Sequence, residues 1–262
     1  MDRRHVFSPQ IRGVMSHARM FAARIAAIAL PNCCALCGNM SHSAICAACD
    51  AAYWNEPRLR CTVCAAPLNP GHAHSRRAGR SGVYRCDVCR TTQPPFDATL
   101  TLADYRAPLD GLARALKFRA RLALGAEFAR RLARRIDDEH DAVGDIDVLA
   151  PIPLAHGRLA SRGYNQAWAI ARPLARRLGV RAMPTLLVRV AETAPQSRLD
   201  RQARRDNVAS AFTVAHDVAR FHVVLVDDVM TSGATLSAAA QALKAACAAR
   251  VTNVVALRTA RD

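Results

Sequence analysis

The stretch VVLVDDVMTSGATL, from Val223 to Leu236, decides how this chain is read. Four apolar residues, Val223 to Val226, predict a buried strand that ends at Asp227 and Asp228, with a Thr-Ser-Gly turn and a helix behind it. The turn from Thr231 to Thr235 can offer successive backbone N–H groups and three hydroxyls, those of Thr231, Ser232 and Thr235. A helix starting near Ala234 adds its positive dipole end, so the segment suits a phosphate. Gly233 permits the tight bend and a close approach of backbone to ligand. Two adjacent carboxylates beside such a nest would repel the phosphate unless they faced something else, and the 2′ and 3′ hydroxyls of a ribose together with Mg²⁺ are natural partners. Alone, an Asp-Asp pair is commonly a cap or surface turn. The ordered string of apolar strand, DDxxTSGxT and amphipathic helix is far more specific.

Outward from this segment, strand and helix signals alternate from Phe96 to the end. Phe96 to Tyr105 reads as a strand and Leu109 to Phe118 as a helix. Leu124, Phe128, Leu132 and Ile136 recur every four residues, an apolar stripe set against Arg130, Arg131, Arg134 and Arg135, which by default face solvent. Asp147 to Ile152 reads as a strand and Gln166 to Leu178 as a helix in which Pro173 predicts a kink. Leu186 to Val190 and Val208 to Val214 are further strands, Ala234 to Cys247 is a helix, and Val251 to Leu257 closes the sheet. Cys247, alone on its helix, is expected to fill core. This alternation calls for an α/β fold with a mainly parallel sheet covered on both faces. Ligands in such folds bind beyond the carboxyl ends of strands, here the loops after Val226 and Ile152.

Nine of the ten cysteines fall between Cys33 and Cys89. Four CxxC pairs stand in order: Cys34 and Cys37, Cys46 and Cys49, Cys61 and Cys64, Cys86 and Cys89. Each turn brings two thiolates toward one tetrahedral ion, and two turns complete a four-cysteine zinc shell, closed and therefore structural. Disulfides would need an oxidising compartment and a redox dithiol needs one CxxC, not four. Sequential pairing is the simplest, Cys34, Cys37, Cys46 and Cys49 on one Zn²⁺ and Cys61, Cys64, Cys86 and Cys89 on the other, with interleaving left open. Cys33 reads as a spare. Between Cys64 and Cys86 a Gly-, Arg- and His-rich stretch, with His72, His74, Arg76, Arg77 and Arg80, reads as a basic finger tip with solvated histidines.

At 262 residues and 51% hydrophobic, the chain can bury one full α/β core and carry a small module besides. Its 37 Lys+Arg against 21 Asp+Glu leave a net charge of +16, nearly all of it arginine. That excess fits a coding bias or a polyanionic partner equally. No stretch approaches the roughly 18 to 20 apolar residues of a membrane span. The N-terminal run is interrupted by Arg24 and is too short for a secretory core, so residues 16–30 read as an amphipathic helix and the chain as cytoplasmic.

With cysteine turns ahead of it, the DDxxTSGxT segment resembles the phosphoribosyl pyrophosphate loop of type I phosphoribosyltransferases, and the whole from Leu30 onward resembles the ComF family. LKFRARLAL from Leu116, PIPLAHGRLASRGYNQA from Pro151 and PQSRLDRQARRDNVASAF from Pro195 carry the likeness, through Arg162, Gly163, Asn165, Gln166, Gln196, Arg205, Asn207 and Phe212. Behind an N-terminal amphipathic-helix segment over 1–30, read from its own pattern, the resemblance implies a double zinc ribbon over 31–94 and a phosphoribosyltransferase-like domain over 95–262. It implies that Asp227 and Asp228 hold ribose and Mg²⁺, and that Thr231, Ser232, Gly233, Ala234 and Thr235 hold the 5-phosphate. Arg162 would face pyrophosphate from the loop after Pro151, and Arg205 would cover it from a mobile loop over 194–207. It also implies handling of single-stranded DNA beside other competence proteins. An orphan phosphoribosyltransferase with a small acceptor, or a non-catalytic sugar-phosphate sensor, are the alternatives.

Overall fold

The computed structural model describes residues 32–54, 59–68, 84–190 and 211–260, which fall into two compact units divided between Tyr53 and Trp54. The helix expected over 16–30, the basic finger tip and the loop over 194–207 lie outside the described residues. In the first unit β1 (Asn32–Cys33) pairs antiparallel with β2 (Met40–Ser41), and α1 (Ala47–Tyr53) follows.

The second unit runs through α2 (Asp87–Thr91), β3 (Ala98–Asp104), α3 (Leu109–Phe118), α4 (Ala123–Asp138), α5 (His140–Val143), β4 (Val148–Pro151), α6 (His156–Arg162) and α7 (Gln166–Leu178). It continues with β5 (Arg181–Ala182), β6 (Leu187–Arg189), β7 (Phe212–Val214), β8 (His222–Met230), α8 (Ala234–Ala245) and β9 (Arg250–Arg258). Five strands form a wholly parallel sheet in the order β3-β9-β8-β4-β5. The expected α/β fold is therefore present. The last strand does not close an edge but lies between β3 and β8. From Val251 to Arg258 every β9 residue is buried, as a strand covered on both faces requires. β6 and β7 stand apart as an antiparallel ribbon.

Alternation along the strands divides the core in two. Val148, Ala150, Val223, Leu225, Val251 and Val255 share one cluster with Leu236 and Leu243 of α8, Phe212 of β7, Phe96, and Cys61, Val63, Cys64 and Cys89. The second group of cysteines is thus built into the core of the sheet. On the other face lie α4 and α7. The predicted stripe of Leu124, Phe128, Leu132 and Ile136 is buried, but the arginine face is not uniformly solvated. Arg131 stacks over Trp54 at 4.5 Å and pairs with Glu127 at 2.9 Å, while Arg134 and Arg135 are exposed. Helix α7 runs on through Pro173. Helix α8 stops at Ala245, and Cys247, at φ 64° beyond its end, is exposed rather than in the core. None of the described helices is long and apolar enough to cross a membrane.

Candidate functional site

Strand β8 is longer than its apolar run, so Asp227 and Asp228 sit within it, Asp227 level with Val255 of β9. Beyond Met230 the chain turns into α8, and Asp227, Val229 and the residues from Met230 to Leu236 line an open hollow. Thr231, Ser232, Ala234 and Thr235 are exposed there. Gly233 makes the turn at φ 83°, where an L side chain is strained, and the Ala234 N–H donates to Ser232 Oγ at 3.3 Å. The expected phosphate-binding residues are therefore contiguous around one cavity, at the amino end of a 12-residue helix.

Asp228 is buried and Asp227 half-buried. Burial and the like charge of Asp228 push the Asp227 carboxyl well above its ordinary range, with Lys117 at the end of α3 pulling the other way. Arg189 of β6 also feels Asp227; burial and the nearby Arg158 lower its guanidinium, and Asp227 opposes them. Lys117, Arg158 and Arg189 come from three separate elements, and no local pattern joins them. The tertiary fold brings Lys117 and Arg189 near Asp227, and Arg158 near Arg189.

Each residue of the RGYNQ segment, Arg162 to Gln166, has a distinct place in the structure. Arg162 closes α6, and Gly163 follows in the left-handed region at φ 77°. Tyr164 donates its hydroxyl to the Leu116 carbonyl, tying the segment to α3. Asn165 caps α7, its Oδ1 accepting from the N–H groups of Ala167 at 2.8 Å and Trp168 at 3.3 Å, while its Nδ2 donates to the Ile152 carbonyl at 2.9 Å. Gln166 accepts from Arg162 and donates to Asp228 Oδ1 at 3.4 Å. A polar chain from Arg162 through Gln166 to Asp228 thus joins the loop after β4 to the acidic pair. Arg162 also lies 5.7 Å from the ring centre of the exposed Phe118. Arg205 lies outside the described residues.

The thiols converge in sequential order, Cys34, Cys37, Cys46 and Cys49 in one group and Cys61, Cys64, Cys86 and Cys89 in the other, with Cys33 exposed and in neither. Cys37 and Cys46 approach to 3.8 Å and Cys64 and Cys86 to 3.7 Å, about the edge of a tetrahedron whose metal–sulfur bonds measure roughly 2.3 Å. Burial raises the Cys34 thiol, but backbone N–H groups, among them that of Cys46 at 3.3 Å, outweigh it and hold it at about 6. Cys61 is held at about 4, chiefly by hydrogen bonding to Cys64, while burial pushes Cys49 and Cys89 up to about 12. Four such thiols can all ionise together only around a cation, so each group can hold a zinc ion.

One residue at this site carries no signal in the sequence. Arg258, the last residue of β9, is completely buried; its Nε donates to the Cys64 carbonyl at 3.0 Å and its Nη1 to the carbonyls of Met230 at 3.1 Å and Thr231.

Residues 164–262 match the phosphoribosyl transferase domain family, a span that takes in α7, the strand-turn-helix at the hollow and the last strand. The second unit accordingly contains a phosphoribosyltransferase-type domain. Relatives refine the class. The chain is 32% identical over 221 residues to DNA utilization protein YhgH of Salmonella typhi, covering 82% of this chain and 92% of that one. Its likeness to the protein of the same name in Escherichia coli K12 is 30% over the same length. With Competence protein F of Haemophilus influenzae it shares 31% over 164 residues, 61% of this chain and 72% of that one. The chain belongs to the ComF family, a phosphoribosyltransferase-type domain with two four-cysteine groups ahead of it.

Proposed function

We propose that this chain binds 5-phosphoribosyl pyrophosphate with Mg²⁺ at the carboxyl end of β8 and handles single-stranded DNA in DNA uptake or utilization. The observation that carries the first half is the hollow, lined by both Asp227 and the turn from Thr231 to Thr235. In this reading the turn holds the 5-phosphate, with Thr231, Ser232, Gly233 and Ala234 supplying amides and Thr235 a hydroxyl. Asp227 and Asp228 hold the ribose hydroxyls and Mg²⁺. Asp228 Oδ2 is buried with no hydrogen-bond partner among the described residues, which suits a carboxylate built to face a cation or a hydroxyl. Mg²⁺ would neutralise charge between the carboxylates and the diphosphate. Arg162 faces the pyrophosphate and Arg205 covers it from the segment over 194–207. The two cysteine groups hold structural Zn²⁺ within a ribbon over 31–94, and thiolate ligands of this kind suit a reducing cytoplasm.

The second half of the reading rests on the relatives' names, DNA utilization and competence, and on the net charge of +16. Other competence proteins are the expected partners. A second reading, transfer of the phosphoribosyl group to a small acceptor, is favoured by the cations Lys117 and Arg189 near Asp227, with Arg158 near Arg189. In that reaction an acceptor lone pair forms the new bond to C1 of the ribose while the C1–O bond breaks. Pyrophosphate leaves with the electron pair, into the field of those cations, and the acceptor's proton passes to solvent. A sensor would bind alike without this step.

Isothermal titration of the full chain with phosphoribosyl pyrophosphate, with and without Mg²⁺, tests the binding. Wild type should show Mg²⁺-dependent saturation, and Asp227→Ala with Asp228→Ala should abolish it. Absence of binding by the wild type overturns the reading. Pyrophosphate release in the presence of bases and amines separates transferase from sensor.

A further inference from the structure

Arg258 stands between two features that the fold places side by side and no local motif connects. Its Nε hydrogen-bonds the carbonyl of Cys64, a member of the second cysteine group, at 3.0 Å. Its Nη1 reaches the carbonyls of Met230 and Thr231, at the start of the turn that lines the hollow, and of Thr259 at 2.7 Å. A trans peptide is planar, with its C=O and N–H pointing in opposite directions. Holding the Met230 and Thr231 carbonyls inward therefore sends the N–H groups of Thr231 and Ser232 outward, to the exposed side of the turn where an anion would sit. The fork of a guanidinium can serve both ends at once, which an ammonium cannot.

The cysteine end of the bridge is itself held in place. The Cys61 N–H donates to the Ala66 carbonyl and the Ala65 N–H to that of Cys61, both at 2.8 Å, closing the CxxC knuckle. The Thr99 N–H of β3 donates to the Thr62 carbonyl at 3.2 Å, and Arg60 pairs with the buried Asp104 at 2.7 Å. These contacts fasten the knuckle to the sheet edge, and Arg258 extends it to the turn. A metal in this shell would keep the Cys64 carbonyl where Arg258 needs it, whereas opening the shell frees it.

We propose that Arg258 is a positioning residue that makes the anion-binding geometry of the Thr231–Thr235 turn depend on the integrity of the Cys61, Cys64, Cys86 and Cys89 shell. The zinc shell next to the sheet then serves as a brace for the phosphate turn. This rests on the reading of that turn as a phosphate site.

The test uses the full zinc-loaded chain, with backbone amide NMR shifts at 231–235 and titration with phosphoribosyl pyrophosphate and Mg²⁺ as paired readouts. Arg258→Lys keeps the charge and removes the fork; Cys86→Ser opens the shell. Both should move the amide signals of Thr231 and Ser232 and weaken the sugar phosphate by roughly ten-fold or more, the scale of outer-shell losses. Arg258→Lys should do so at unchanged zinc content. Ile136→Ala, which destabilises the opposite side of the sheet, should leave the signals of the turn in place. Should Cys86→Ser fail to fold, Arg258→Lys and stepwise chelation of the wild type carry the NMR measurement. Unchanged amide signals and affinity in Arg258→Lys overturn the proposal. Failure of the wild type to bind the sugar phosphate would instead refute the site reading, and the amide shifts would still decide whether Arg258 braces the turn.

Discussion

His222 opens β8 with its ring enclosed: Nδ1 lies 2.7 Å from the Asp145 carbonyl and Nε2 2.9 Å from the hydroxyl of buried Thr252. Only a proton on Nδ1 satisfies that carbonyl, so the neutral ring donates there and accepts from Thr252. Burial lowers the ring's pKa, with the Asp145 carbonyl opposing and Arg250 adding to the effect. The unfolded chain, at about 6.5, then takes up the proton before the folded one does. Stability is full above that value and falls as pH drops below it, by at most about 1.4 kcal/mol per pH unit, until the folded ring protonates too. Urea melts at pH 7.5, 6.5 and 5.5 should show this decline, and His222→Gln should flatten it. Gly233 offers a second residue-scale test. At φ 83° an alanine costs about 1–2 kcal/mol. Its Cβ would stand 2.5 Å from Met230 Cε, the movable end of a side chain, so backbone strain outweighs the clash. Gly233→Ala should lower the melting temperature modestly and weaken phosphoribosyl pyrophosphate, read by thermal shift and titration.

Among elements, the crossing of α4 and α7 shows what could be read in advance. A Cβ added to Gly125 would lie 2.6 Å from the carbonyl oxygen of Ala169, four residues before Pro173. Proline has no N–H to bind that carbonyl, and the gap in the ladder is where the glycine of the facing helix comes closest. On an exposed helix Gly→Ala stabilises by about 1 kcal/mol. Here the obstacle is backbone, and Gly125→Ala should instead destabilise by about 1–3 kcal/mol in urea unfolding. A neutral or stabilising result would show that the helices can part freely. The apolar stripe of α4, the span of α7 and the β8-turn-α8 unit were readable because each rests on spacing within a dozen residues. The place of β9 between β3 and β8 was not, since strand order is set by contacts far apart in sequence. Arg258 went unseen for the same reason: nothing in VVALR marks its arginine as buried until β9 lies beside β8 and Cys64 meets it. Arg131 likewise looked like one of a solvated row until Trp54, more than seventy residues earlier, covered it.

At the scale of the whole molecule the dominant fact is charge, +16 over 262 residues, on a chain with only 5% aromatic residues. A single-strand binder built this way depends on phosphate contacts more than on base stacking, and each contact releases counterions. Its affinity for single-stranded DNA should fall as a power of salt concentration, with a log–log slope of about −0.7 for each phosphate neutralised. Fluorescence anisotropy of a labelled oligonucleotide from about 50 to 200 mM salt measures that slope. Replacing Arg76, Arg77 and Arg80 with alanine should make it shallower by about 2 if all three contact the strand, with little effect on phosphoribosyl pyrophosphate. The converse variant, Asp227→Ala with Asp228→Ala, should remove sugar-phosphate binding and leave the salt slope unchanged. An affinity insensitive to salt would mean that the arginine excess has nothing to do with DNA. A slope altered by the aspartate pair would mean that strand and sugar phosphate compete for one site.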